Sequence, residues 1–152
     1  MGVRPGVDPC LNRTMEMHGR VCKIVALPSG RCLTSTTELG EMGKRGRILP
    51  EEYRRSHHQH WRIEPALAFP GGIKIVQADN PSHVLRFTER HPVEKVALWH
   101  DEPGNPHQVW RRLGESLHPE GHPNLHLHFD PLTGGFGVKM EPQRFLFEPV
   151  MF

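Results

Sequence analysis

The sequence predicts an all-β domain made of three pseudo-symmetric units closed around a rotation axis. One phrase recurs three times, as Gln59-His60-Trp61, Gln108-Val109-Trp110 and Gln143-Arg144-Phe145. Self-similarity at a spacing of tens of residues is the mark of repeat architecture. Two copies continue alike, as Trp61-Arg62-Ile63-Glu64-Pro65 and Phe145-Leu146-Phe147-Glu148-Pro149. Finally, 15 glycines and 15 prolines among 152 residues place frequent turns between short apolar runs. That punctuation favours strands over a helical bundle. Three copies do not make a long open array, so closure is expected.

Residues 1–18 carry Pro5 and Pro9 without a clear period and read as a tail or outer strap. A single domain is expected over residues 19–152. Its strands are identified by alternation, because successive side chains of a strand face opposite ways. The first unit offers runs at 21–26, 31–34, 47–49 and 60–64, with Lys23 standing between Cys22 and Ile24. Within it, Pro50-Glu51-Glu52-Tyr53-Arg54-Arg55 has the proline and acids of a helix opening, so a turn or two of helix is expected there. The second unit offers 73–77, 83–87, 95–99 and 109–113, with Lys74 between Ile73 and Ile75. The third offers 124–129, 136–140 and 144–147, where Leu125, Leu127 and Phe129 alternate with His126 and His128. It is compressed, since Phe145 follows Trp110 more closely than Trp110 follows Trp61. Residues 114–123 are expected to run as a loop in place of a missing strand.

The second unit has the fullest pattern: Val96-Ala97-Leu98-Trp99, then Asn105, then Gln108-Val109-Trp110. Spread over most of residues 19–152, this pattern resembles that of the ricin B-type lectins, which are β-trefoils. The Glu-Pro continuation is also similar to that of small fungal trefoil protease inhibitors. The resemblance implies a β-trefoil with a shortened third unit and a non-enzymatic, carbohydrate-binding role, with a glycan or glycoprotein as partner. Trp61, Trp110 and Phe145 are expected in the core, with the glutamines satisfying nearby backbone groups.

Trp99 differs from them. If Val96 and Leu98 face inward, period two turns Trp99 outward, beside His100 and Asp101. An indole plate flanked by hydrogen-bonding groups suits a sugar, whose C–H face stacks while its hydroxyls need directed partners. The resemblance implies a site with Asp79 as the acid, Trp99 as the platform, and Asn105 and Gln108 nearby. His107 stands where the lectin pattern has asparagine. Residues 28–31 supply no acid to the first unit, and no aromatic follows Arg47-Ile48-Leu49. The third unit has Asp130 but lacks the aromatic, so one sugar site at most is expected.

The alternative partner is a protease, contacted by the long loop 34–58, whose arginines and lysines suit a trypsin-like pocket. An interaction module with other protein partners is a third reading. A formal charge of +2 makes no electrostatic case for nucleic acid, and Lys44-Arg45-Gly46-Arg47 is the best basic run. No stretch approaches the ~20 apolar residues of a membrane span, and no secretory signal is seen, so a cytoplasmic address is expected. Cys10, Cys22 and Cys32 lack a Cys-x-x-Cys spacing, and reduced core thiols are expected of them.

Twelve histidines are present, including His57-His58-x-His60 and the group His118, His122, His126 and His128. His126 and His128 share one strand face and are candidate zinc ligands, with His118 or His122 as a third. No Gly-x-Ser-x-Gly elbow, phosphate-cradling loop or paired carboxylates occur, so no catalytic residues and no cofactor are expected.

Overall fold

The computed structural model describes residues 19–35, 47–88, 95–131 and 134–150. The expected tail, Cys10 and residues 44–46 of the basic run lie outside the described residues. Twelve strands form among the described residues, four per unit. The first unit holds β1 (Val21–Leu27), β2 (Cys32–Ser35), β3 (Ile48–Glu51) and β4 (Trp61–Pro65). The second holds β5 (Ile73–Gln77), β6 (His83–Phe87), β7 (Val96–His100) and β8 (Trp110–Leu113). The third holds β9 (Ser116–Pro119), β10 (His126–Asp130), β11 (Gly135–Lys139) and β12 (Arg144–Pro149).

The outer strands of each unit build a six-stranded barrel in the order β12, β1, β4, β5, β8, β9. The ring closes where the Phe145 N–H donates to the Glu115 carbonyl at 2.7 Å. The inner strands pair as three hairpins, β2 with β3, β6 with β7, and β10 with β11. No described helix is long and apolar enough to cross a membrane.

Two expectations need correction. Residues 114–123 contain a strand, β9, which pairs with β8 from Trp110↔Pro119 to Leu113↔Ser116. Gly114, at φ +58, begins a two-residue connection of the kind tight hairpins require. Four residues with a single aliphatic, Leu117, show too little alternation to be seen in sequence. The third unit is therefore shortened in its connections and keeps all four strands. The helix opening at Pro50 is instead strand, with Pro50 paired to Leu33 in β2. β3 lies at the edge of its sheet, where a proline's missing N–H is tolerated. Among the described residues helical structure begins at His57–Gln59, as a single 3-10 turn, and a matching turn spans Pro106–Gln108. Of the loop assigned to protease contact, residues 34–35 and 48–51 are strand and 57–58 belong to the 3-10 turn, while residues 36–46 lie outside the described residues.

Trp61, Trp110 and Phe145 are fully buried in one core cluster with Ile24, Leu33, Leu85, Leu98 and Leu127. The two indole N–H groups donate to equivalent carbonyls, Trp61 to Leu33 and Trp110 to Leu85, each at 3.1 Å. The Phe145 side chain has no N–H to offer. Cys22 and Cys32 are buried free thiols. Burial pushes the Cys22 thiol up to about 12, against a smaller opposing pull from Arg112.

Trp110→Ala should cost about 3–5 kcal/mol by emptying the core. Trp110→Phe should cost about 1–3 kcal/mol, chiefly by stranding the Leu85 carbonyl. Urea denaturation measures both, and equal losses would mean that the indole hydrogen bond adds nothing. Peptide mapping after thiol labelling at pH 8 should find Cys22 and Cys32 unmodified until urea unfolds the protein.

Candidate functional site

The β6–β7 hairpin carries Trp99, the platform of the expected site. Its register sets Val84 against Trp99, Leu85 against Leu98 and Arg86 against Ala97. Leu85 and Leu98 enter the core, so strand alternation turns Arg86 and Trp99 to the opposite face. Trp99 is half-buried, unlike the other two tryptophans. The Arg86 guanidinium carbon lies 5.5 Å from the centre of the Trp99 ring, within cation–π range. Arg86 Nη1 is also 3.6 Å from Glu102 Oε1, and the His100 ring lies 5.8 Å from the indole. Arg86 and Glu102 were not among the anticipated residues. For Arg86 the available signal was its outward place in the alternation of 83–87.

The loop after β7 is held from behind. Gln108 is fully buried, its Nε2 donating to the His100 carbonyl at 2.6 Å and its Oε1 accepting from the Glu102 N–H at 2.8 Å. Asn105 caps the following 3-10 turn, with its Oδ1 accepting from the His107 N–H at 2.9 Å. The His107 side chain is exposed. Asn105, His107 and Gln108 thus form one local framework that presents Trp99 and Glu102. The same loop walls a groove of about 370 Å³, together with Phe69, Leu67 and Lys74, whose ammonium donates to Asp101.

Asp79 stands at the joint between the first two units. It is exposed in the β5–β6 turn, and its Oδ2 is 3.9 Å from His57 Nε2. Beside that pair a polar chain crosses the joint. Ser35 Oγ is 3.3 Å from His58 Nδ1 and accepts from Gln77 Nε2 at 3.1 Å, while Gln77 Oε1 is 3.3 Å from His83 Nδ1.

Among the described residues, no three His, Cys, Asp or Glu side chains converge to hold a metal ion. His126 is buried, with its Nδ1 lacking a hydrogen-bond partner. His128 Nδ1 lies 2.9 Å from the Phe129 carbonyl, and the His118 and His126 ring centres are 6.5 Å apart. Burial holds His126 below the usual histidine value, with the nearby His118 and His128 acting in the same direction. His60 is also held low, by burial first. Asp79 opposes that shift and His57 adds to it.

No family model matches the chain, and no curated protein matches it in sequence. Solved structures share its fold. The designed threefold-symmetric protein ThreeFoil is similar at 18% identity and TM-score 0.64, over 86% of this chain and 99% of its own. The C-half of an earthworm R-type lectin in complex with GalNAc is similar at 14% identity and TM-score 0.62, over 86% and 99% of the two chains. The BEL β-trefoil is similar at 15% identity and TM-score 0.65, over 88% and 94%. The chain is a β-trefoil.

His60 and His126 prescribe an acid response. Both favour the neutral ring in the folded state, so the unfolded chain takes up protons first. Their stabilisation is present above the unfolded value of about 6.5 and is lost as pH falls below it. Thermal melts from pH 8 down to pH 5 should show a falling Tm, and His126→Leu should flatten that acid limb.

Proposed function

We propose that this β-trefoil is a non-enzymatic carbohydrate-binding protein whose ligand, a glycan or glycoprotein, sits at the Trp99 surface of the second unit. The observation that carries the reading is the environment of Trp99. It is the one tryptophan outside the core cluster, and Arg86, His100 and Glu102 lie around it. An aromatic face offers a sugar its C–H contacts, and charged donors and acceptors at its rim offer the directed bonds that hydroxyls need. A trefoil lectin seen with GalNAc among the similar structures supports the same class of ligand.

Gln108 and Asn105 act in this reading as supports, because their side chains already hold the loop. Trp99, Arg86 and Glu102 are the groups that meet ligand in this reading, with Asp79 and His107 as outlying polar contacts.

Glycan-array screening followed by calorimetry on the best hit tests the reading. Trp99→Ala should weaken binding about threefold to tenfold, the worth of one aromatic contact, while leaving Tm within a degree or two. Wild-type protein that binds no glycan on the array would end it.

A further inference from the structure

A second site, unrelated to the Trp99 surface, lies where the loop after β3 meets the end of β12. It is a notch of about 160 Å³ lined by Lys23, Tyr53, Arg55, Pro149 and Val150. Arg55 is the only described non-glycine residue with positive φ, at 56°. That region is unfavourable for a residue with a side chain, and a long side chain persists there only when its surroundings impose it.

The surroundings are the same in the second unit, where the residue differs. Arg55 directly precedes Ser56, the cap of the His57–Gln59 turn, as Gly104 directly precedes Asn105, the cap of the Pro106–Gln108 turn. Gly104 has φ +80, and a Cβ there would meet nothing within 4 Å. The position therefore demands a left-handed backbone, and glycine meets that demand without strain. The first unit keeps an arginine in its place.

What the arginine adds is charge. Its side chain is exposed and has no ion-pair partner among the described residues. Lys23 provides a second cation, with its Nζ 4.4 Å from the centre of the Tyr53 ring and 3.6 Å from Glu148 Oε2. Among the described residues Glu148 is the carboxylate paired with a cation of this notch, and Glu51 is taken by Arg54 at 2.6 Å. The Tyr53 hydroxyl lies 2.8 Å from His60 Nε2, within hydrogen-bond distance. The notch is smaller than the ~300–1,000 Å³ pockets that enclose whole ligands, so it fits a group and not an entire sugar.

We propose that Lys23 and Arg55 form a binding site for a tetrahedral oxyanion, a phosphate or sulfate, either free or as the ester group of a small molecule. The two cations that line the notch supply charge-assisted hydrogen bonds, and the guanidinium fork matches the anion's oxygens.

Thermal melts in sodium phosphate and sodium sulfate, against sodium chloride at equal ionic strength, test the site. The oxyanions should raise Tm by a few degrees beyond chloride. Arg55→Gly places in the first unit the residue the second already has. It should raise Tm without anion and abolish the oxyanion increment, and Lys23→Gln should reduce that increment. Hexose 6-phosphate and hexose 6-sulfate, run beside the unmodified hexose, separate the sources. A larger shift from the esters assigns the site to an ester, and equal shifts assign it to the free ion. Trp99→Ala should leave the increments from inorganic phosphate and sulfate intact, so the site stands apart from sugar binding. An increment no larger than that of chloride, or one that survives Arg55→Gly, overturns the proposal.

Discussion

Two buried carboxamides organise the surface of this molecule. Gln59 and Gln108 are sealed from solvent, and a buried amide is tolerated only when its donor and acceptor are both used. Each finds its partners in the backbone of the loop just upstream. Gln59 bonds the Glu52 carbonyl and the Arg54 N–H, and Gln108 bonds the His100 carbonyl and the Glu102 N–H. The loop must fold back over the amide to make those bonds, and a capped 3-10 turn completes the return. Both proposed sites ride on loops pinned in this way. In the first unit the pinned loop presents Tyr53 and Arg55. In the second it presents Glu102 beside Trp99.

The third unit shows what happens when the constraint is relaxed. Gln143 is only partly buried and ties different groups, accepting from the Phe129 N–H and donating to the Leu27 carbonyl. One bond stays within the third unit, at β10, and the other stitches that unit to the first strand. Phe145 fills the core position of the tryptophans without an indole N–H to anchor it. The barrel needs only the bulk of that aromatic, so the symmetry of the core survives while the symmetry of the loops does not. The surfaces differ accordingly, and two units carry proposed sites where the third carries none.

Charge is distributed along the joints as much as along the strands. The first and second units meet through Ser35, Gln77, His58 and His83, with His57 and Asp79 at the rim. Buried polar chains of this kind hold only when their members are bonded, and His60, held low by burial beside His57 and Asp79, makes the joint acid-sensitive. His126 adds a second acid-sensitive point, because its buried Nδ1 has nothing to share a proton with.

The trefoil was legible in the residues because its causes are local and periodic. The Gln-x-aromatic recurrence marks each corner, period two assigns Leu85 and Leu98 to the core, and the same alternation turns Trp99 outward. β9 was not legible, since Ser116–Pro119 offers one aliphatic and closes on a proline. The strand at Pro50 was hidden too, because a proline before two acids has the composition of a helix start and only its place at a sheet edge makes it a strand. Periodicity says which way a side chain faces, and it is silent on which partner from another strand or unit it will meet. Arg86 stacking on Trp99, Asp79 turning to His57, and the left-handed backbone of Arg55 follow from strand register and from amide bonds between distant segments. Those contacts exist only once the barrel has closed.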